Sequence, residues 1–413
     1  MFFALKRREA EDMAKSRKIS FGPGFLVTAA FIGPGTITSC TLAGVHFGYA
    51  LLYAILFATV TTIILQEMTG RLSLASGRDL AQALREFPKS ALTRLMFTIM
   101  TLTAITFGCA AYEAGNIIGG ALGLESFTSI PQRYWVGLIS LLAIIILSSG
   151  RYRIIERFLV VLVFLMSISF LSTAVITKPD IISILKALVP TIPHGSLFYV
   201  LALVGTTIVP YNLFLHSAIV KKKWHLAANV KDVRKDLVLS IGLGGMISAS
   251  IIVTSAVAFF NKGIGLESGI EMAQQLRPLF GDITHILFGI GLFAAGLSSA
   301  VTAPYAAAFA SSGVMGWDSK QGQQKFKLIW LLVIMSGFGV SLLDLNPLAV
   351  ILFAQVANGL VLPVASIFLL VVLNNREKMG SMANNWKQNI IGGLIILIVS
   401  ALGFWNILKL FFG

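Results

Sequence analysis

Residues 31–39 read FIGPGTITS. The stretch lies inside the first long apolar run of the chain, near 22–46, and sets Gly33, Pro34 and Gly35 where a membrane helix would be continuous. Proline removes a backbone donor and its ring clashes with the carbonyl one turn back, so a helix must open here. In a bilayer, opened backbone is tolerated only where it is buried in protein or lines a cavity. The stretch therefore predicts a first span made of two half-helices, with their exposed ends turned toward something.

The surrounding composition sets the class. Apolar residues make up 56% of the 413-residue chain and charged residues 12%, about half the charge of an ordinary soluble protein. The apolar residues come in runs of about 20, the length that crosses a bilayer core. Eleven spans are predicted, near 22–46, 48–70, 93–123, 134–150, 155–177, 195–220, 236–260, 282–311, 326–343, 347–373 and 389–412. The runs do not alternate as barrel strands would, so the expected fold is an all-α polytopic membrane protein. No signal peptide is expected ahead of the first span.

Lys and Arg cluster in alternate connections: about 26 of the 32 fall in one set, including residues 6–18, 71–94, 151–157, 221–235, 320–327 and 376–387. That bias places residues 1–21 in the cytoplasm as a tail and, with an odd number of spans, the C-terminus outside; the expected location is the cell inner or plasma membrane. It also accounts for the net charge of +14 without nucleic-acid binding. The run VKKKWH (220–225) reads as a solvated loop beside the lipid headgroups. Cys40 and Cys109 both fall inside spans and read as small core residues.

A second interruption answers the first. The sixth span contains GTTIVPYNLFLHS, Gly205 to Ser217, with Pro210 mid-span and Tyr211, Asn212 and His216 at depth. Spans one and six are five apart and, by the charge count, run in opposite directions. Paired interruptions at matching positions of two halves point to the substrate site of a secondary transporter built from inverted repeats. The repeats would cover about 22–177 and 195–373, with 389–412 as an extra helix on a single transporter domain over 22–412. The N-terminus of the second half-helix, near Gly35–Thr36, would turn free N–H groups and a positive dipole end into the site, with Thr36 or Thr38 as its cap. Freed carbonyls are expected near Ile32–Gly33 and Thr206–Val209.

At these residues the chain resembles the NRAMP family of proton-coupled divalent metal transporters. TTIVPYNLFLHSAIV (206–220) is similar to the family's sixth helix, LQEMTGRLSLASGRDLAQALRE (65–86) to its second-helix exit, GLSSAVTAPYAAAFASSGVM (296–315) to its eighth and AQVANGLVLPV (354–364) to its tenth. The resemblance implies a LeuT-type fold of five-plus-five inverted repeats, with helices one and six broken at mid-membrane. The departures fall on the metal ligands. Where the family carries Asp-Pro-Gly-Asn, this chain has Gly33-Pro34-Gly35-Thr36; the family's thioether position is Val209, its metal-binding carbonyl falls at Thr206, and its post-proline histidine is Tyr211. Neutral hydroxyls, an aliphatic side chain and carbonyls supply no negative charge, and dehydrating a divalent ion into such a site is very unfavourable. The expectation is a site that does not hold Mn²⁺ or Fe²⁺ tightly: the substrate keeps its water shell, is monovalent, or is not a metal.

Other polar groups enter through the same resemblance. Glu113 matches the first of the family's two third-helix proton-transfer acids, and Asn116 replaces the second. An intramembrane carboxylate is functional by default; the alternative is a structural carboxylate bonded to a neighbouring helix. His216 falls where the family places a histidine near the proton route, and Gln355 in the region of a metal-contacting glutamine. Glu67 reads as a structural partner of Arg71 or of a base from the third cytoplasmic loop, Asp344 as a solvated rim cap, and GLGGMISAS (242–250) as a helix-packing segment. His46 is placed near the end of span one.

The candidate substrate residues are thus Gly33, Gly35, Thr36, Thr206, Val209, Tyr211, Asn212 and Gln355, and the candidate proton-coupling residues Glu113, Asn116 and His216, with no metal ligand assigned. No nucleotide loop, Cys/His cluster or nucleophile set stands outside the membrane, so no enzyme and no cofactor is expected. The leading reading is an NRAMP-related secondary-active cation transporter with an altered site, proton-coupled if the resemblance carries over. The alternatives are a transporter of a small organic solute, such as an amino acid or other carboxylate received on the bare helix end, and a non-transporting membrane sensor.

Overall fold

A computed structural model describes residues 22–128, 130–149, 152–223, 230–266, 268–317 and 321–412; the expected tail, 1–21, lies outside them. The described residues are almost wholly helical. The helices are α1 (Pro23–Phe31), α2 (Pro34–Phe47), α3 (Leu52–Ser76), α4 (Leu80–Glu86), α5 (Ala91–Glu125), α6 (Gln132–Ser149), α7 (Tyr152–Ile176), α8 (Ile181–Lys186), α9 (Leu197–Thr207), α10 (Pro210–Lys223), α11 (Val230–Ala258), α12 (Arg277–Phe280), α13 (Thr284–Met315), α14 (Gln321–Ser341), α15 (Pro347–Leu373), α16 (Arg376–Met379) and α17 (Trp386–Phe412).

Ten helical segments among the described residues are long and apolar enough to cross a membrane. The remaining expected span is α1 plus α2, two halves of 9 and 14 residues, each too short to cross alone. The helices fall within a few residues of the predicted spans, because apolar run length and backbone self-satisfaction in lipid are both local constraints. The lipid-facing sides carry exposed large residues such as Phe107, Val161, Leu239, Leu397 and Phe404.

Glycine sets how closely the inner helices approach. α5 and α13 pack along each other through Gly120 and Gly296: a Cβ on Gly296 would lie 2.4 Å from the Gly120 Cα. α9 and α15 meet at Gly205, where a Cβ would lie 2.0 Å from the Gln355 carbonyl oxygen. Small residues at such crossings let backbones touch without a hydrophobic drive between helices. The 242–250 segment packs as expected, with Gly244 against Phe31 and Gly245 against Thr59.

Three connections carry structure that apolar run length does not reveal. α4 is a seven-residue helix whose N-terminus is closed by a reciprocal Asp79–Gln82 capping box, and its buried Leu80, Ala81, Ala83 and Leu84 dock it into the bundle. α8 follows Asp180, which caps it at Ile182. The 3₁₀ segment Gly269–Leu276 folds inward on Met272, Ala273, Gln275 and Leu276. Its Gln275 donates to Thr41 Oγ1 at 3.0 Å and accepts from Thr254 Oγ1 at 3.2 Å, tying the segment to α2 and α11. The cap expected at Asp344 is instead Asn346, whose side chain accepts from the Ala349 N–H at 3.1 Å; Asp344, two residues earlier, is exposed.

Candidate functional site

The two breaks have the same local build. α1 ends at Phe31; Ile32 follows at φ −80°, ψ 76°, and Pro34 opens α2. α9 ends at Thr207; Ile208 follows at φ −100°, ψ 74°, and Pro210 opens α10. Each proline occupies the first turn of the second half, where its missing N–H costs nothing and its fixed φ suits the helix. The chain thus leaves one half-helix through a non-helical isoleucine and enters the next on a proline, twice.

The breaks are joined directly. Thr36 Oγ1 and Thr206 Oγ1 lie 2.8 Å apart, fully buried, and Thr36 also donates to the Phe31 carbonyl across its own break. This corrects the expected capping: α2 has Gly33 as its N-cap and no side-chain cap, because the Thr36 hydroxyl turns back to close the break. The expected free carbonyls are partly engaged. Gly33 O accepts from Ile37 N at 3.1 Å and Val209 O from Asn212 N at 3.0 Å, while Thr207 O receives the Thr62 hydroxyl at 3.4 Å.

Three helices wall this junction. The ring of Pro34 is seated on Gly119 of α5, where a Cβ would come within 2.1 Å of the proline Cβ. One and two turns earlier on that helix, Gly115 packs against Ala354 of α15 and Tyr112 faces Gly33. Ser299 of α13 also faces Gly33, and the ring of Tyr112 meets that of Tyr211 edge-on, with centroids 6.0 Å apart. From α15, the Gln355 amide lies over Gly35, with its Nε2 2.2 Å from where a Cβ would be. Gln355 donates to Ile351 O at 3.2 Å, while its Oε1 has no protein partner. Asn212, 1% exposed, leaves both side-chain atoms without a protein partner. Gly33, Gly35, Thr36, Thr206, Tyr211 and Gln355 are therefore gathered around one junction, and Val209 and Asn212 stand at the second break itself. Thr62, Tyr112 and Ser299 are lining residues that the sequence reading missed. For Tyr112 the signal was present: it lies in a small-residue stripe, Gly108, Gly115 and Gly119, that marks the inward face of α5.

Of the proton-coupling candidates, Glu113 and Asn116 meet on α5, and His216 lies apart from them, against α3. Glu113 is fully buried and accepts from Asn116 Nδ2 at 3.3 Å. It is turned about 100° around α5 from Tyr112, toward α14, where its Cγ would meet a Cβ on Gly337 at 2.6 Å. Its Oε1 has no protein partner. His216 is buried against α3, Nδ1 2.8 Å from Thr69 Oγ1, with Nε2 unpartnered. His46 is exposed and its ring sits tilted against that of Tyr199, centroids 5.3 Å apart, and Cys40 and Cys109 are buried free thiols.

Charged groups gather at one end of the bundle, where α3, α4, α10 and α11 come together. Glu67 accepts from Arg234 at 2.8 Å and pairs with Arg71 at 3.4 Å, so both partners expected of it are present. Arg71 continues to Met382 O and Asn384 Oδ1, each at 2.8 Å, anchoring the connection before α17. Lys221 reaches Gln82 at 2.5 Å and Asp79 at 3.4 Å, and Ser73 donates to Ser217 O at 2.8 Å. The Asp236 carboxylate accepts from Gly24 N at 2.6 Å, an anion at the N-terminus of α1.

Among the described residues no three His, Cys, Asp or Glu side chains gather as a metal site. The junction instead offers hydroxyls, amides and a phenol, all neutral. Such a donor set can hold a hydrated ion or a polar solute through hydrogen bonds. It cannot replace the inner water of a divalent cation with charge.

A family profile described as "Natural resistance-associated macrophage protein-like" matches residues 24–409. The chain is 28% identical over 405 residues to the divalent metal cation transporter MntH of Bacillus subtilis, covering 94% of this chain and 92% of that one. It is 26% identical to the MntH of Deinococcus radiodurans, covering 94% and 89%. Among solved structures it is similar to the Eremococcus coleocola manganese transporter, with TM-score 0.77 and 23% identity over 94% of this chain and 86% of that one. It is also similar to MhsT in complex with L-phenylalanine, with TM-score 0.59 and 17% identity over 92% and 98%. Likeness at these identities establishes the shared fold, the LeuT-type arrangement of broken helices.

Proposed function

The chain belongs to the Nramp family, as a multi-pass membrane transporter and not an enzyme, and from that premise we propose that it is a secondary-active carrier of a small cation taken with its inner waters, coupled to protons. The observation that carries this reading is the 2.8 Å bond between Thr36 and Thr206. Two neutral hydroxyls meet where a metal carrier needs charge, and Glu113, the one acid near this level among the described residues, is turned toward α14. Neutral oxygens bind a water shell better than a bare divalent ion, since stripping that shell without a carboxylate is uncompensated. The unpartnered atoms of Asn212 and Gln355 supply a donor and two acceptors to such a shell. The same-handed builds of the two breaks support the division into inverted repeats over 22–177 and 195–373. The basic set of connections supports a cytoplasmic N-terminus.

In this scheme the Thr36–Thr206 bond closes the site when it is empty, and the arriving hydrated ion separates the hydroxyls and takes their place in each other's coordination. Glu113, held by Asn116, takes up or releases the coupled proton. The test pairs calorimetry on the purified protein with uptake into liposomes across a panel of Mn²⁺, Mg²⁺, monovalent cations and small amino acids. Uptake of a hard cation without micromolar Mn²⁺ binding supports the reading. Micromolar Mn²⁺ binding abolished by Thr36→Ala, with robust Mn²⁺ flux, overturns the altered site, and saturable uptake of an amino acid moves the substrate to the organic class.

A further inference from the structure

α11 ties together the charged end of the bundle, and one of its faces stays open. The helix runs 29 residues, Val230–Ala258. The uncharged run from Leu237 to Ala258 takes about 33 Å of its length, enough for a bilayer core of about 30 Å. The turns before Leu237 therefore stand at headgroup level. Exposed there are Lys231, Asp232, Arg234 and Lys235, and the same side continues into the core as exposed Val238, Leu239 and Met246. At about 100° per residue these positions share one stripe, with Arg234 and Asp232 at its opposite edges. Arg234, Lys235, Val238 and Leu239 line one open groove.

The acids around the groove are mostly engaged elsewhere. Glu67 is answered by Arg234 at 2.8 Å and Arg71 at 3.4 Å, and Asp236 faces the N-terminus of α1. That leaves Asp232 against three bases on the exposed side. Arg234 gives Nε and Nη2 to Glu67, yet its side chain stays 54% exposed. A guanidinium carries five N–H donors, so Nη1 remains for another oxygen. Gly242 then shapes the apolar strip. The Cβ sites of Gly244 and Gly245 are filled by Phe31 and Thr59, at 2.4 and 2.3 Å, whereas a Cβ on Gly242 would meet nothing within 4 Å. Glycine weakens a helix, and this one serves no helix contact; it leaves a notch one turn beyond Val238 and Leu239.

We propose that this face of α11 binds one anionic phospholipid, its phosphate on Lys235 and Arg234 and an acyl chain along Val238 and Leu239 into the notch at Gly242. Lysine and arginine hold phosphate oxygens through charge-assisted hydrogen bonds, and basic residues beside a membrane are drawn to anionic headgroups. A zwitterionic lipid carries its own cation and gains less from the two bases. A free phosphate has no chain to cover the strip. Continuity of the basic turns with the exposed apolar strip is what selects a lipid. Arg234 would link its headgroup to Glu67, and so to α3. The inference rests on the chain's place in a membrane and not on the cation it carries.

The experiment uses the full chain purified in a neutral detergent and analysed by native mass spectrometry. The probes are equimolar phosphatidylglycerol and phosphatidylcholine with identical acyl chains. The wild type is expected to retain phosphatidylglycerol at least fivefold over phosphatidylcholine. Lys235→Gln, at an exposed position, is expected to cut that preference at least threefold. Gly242→Trp, whose Cβ meets no protein atom within 4 Å, fills the notch and is expected to lower phosphatidylglycerol retention at least threefold. Lys89→Gln removes one charge from a side chain 88% exposed at the same end of the bundle and is expected to change neither quantity. No preference in the wild type, or a preference that Lys235→Gln leaves unchanged, overturns the site. Equal losses in Lys89→Gln and Lys235→Gln would mean diffuse charge on the rim and overturn it as well. If Gly242→Trp retains phosphatidylglycerol like the wild type, or if millimolar inorganic phosphate displaces the lipid, no acyl chain lies in the groove and the lipid assignment fails.

Discussion

Gly205→Ala isolates the contact that positions the second break. A Cβ at Gly205 would lie 2.0 Å from the Gln355 carbonyl oxygen and 2.6 Å from the Gly359 nitrogen, both backbone atoms of α15. No side-chain rotation relieves this contact. To restore ordinary separation of 3.4 Å, α9 and α15 must part by about 1.4 Å at this level. Thr206 is the next residue, and its 2.8 Å bond to Thr36 tolerates no such shift, since a hydrogen bond is lost well before 3.6 Å. Overpacking of this kind costs about 1–3 kcal/mol, and a lost buried hydrogen bond about 1 kcal/mol more, so a destabilisation of about 2–4 kcal/mol is expected. The assay is reversible unfolding in mixed micelles, comparing Gly205→Ala with Gly108→Ala, whose added methyl would make only ordinary van der Waals contacts, at 3.7 Å or more. The variants should differ by at least about 2 kcal/mol. Equal stability of the two would refute the close approach of α9 to α15, and with it the placement of Gln355 over Gly35.

Four further outcomes are expected. In a double-mutant cycle, Thr36→Val and Thr206→Val should show a coupling energy of about 1 kcal/mol; additive effects would mean that the two hydroxyls do not meet. Glu67→Gln should cost about 3 kcal/mol by leaving Arg71 buried without its carboxylate, whereas Arg234→Gln, removing a half-exposed partner, should cost under about 1 kcal/mol; the reverse order in chemical denaturation would count against the network. Glu113→Gln should flatten the pH dependence of uptake more than it weakens substrate binding, and equal loss of both would assign Glu113 a structural role. At Asp180, the Ser183 hydroxyl and the backbone N–H groups at the start of α8 hold the carboxyl below the ordinary carboxylate range. A depressed folded value means that the cap is fully present above the ordinary range and is lost only as pH falls through the lowered one, so hydrogen-exchange protection of 181–186 should be constant from pH 8 down to about pH 5. Loss of that protection between pH 7 and 6 would contradict the assignment.

Much of the architecture was written locally. The class, the span positions and both breaks follow from run length, composition and two prolines, because a bilayer forces each backbone segment to satisfy itself within a few residues. The likeness of the two breaks was legible for the same reason: Ile32-Gly33-Pro34 and Ile208-Val209-Pro210 each need only a proline and its predecessors to open a helix. Helix rotation is another matter. A step of one residue turns a side chain by about 100°, so the sequence could place Glu113 and Gln355 at depth but could not say that Gln355 lies over Gly35 while its near-level counterpart Glu113 faces Gly337. The Thr36–Thr206 bond, the Asp236 carboxylate at the N-terminus of α1 and the reach of Arg71 to Asn384 join residues far apart in the chain. Only the packing of glycine against backbone across α5, α9, α13 and α15 fixes the helix rotations that bring those partners within reach, and that is a property of the assembled bundle.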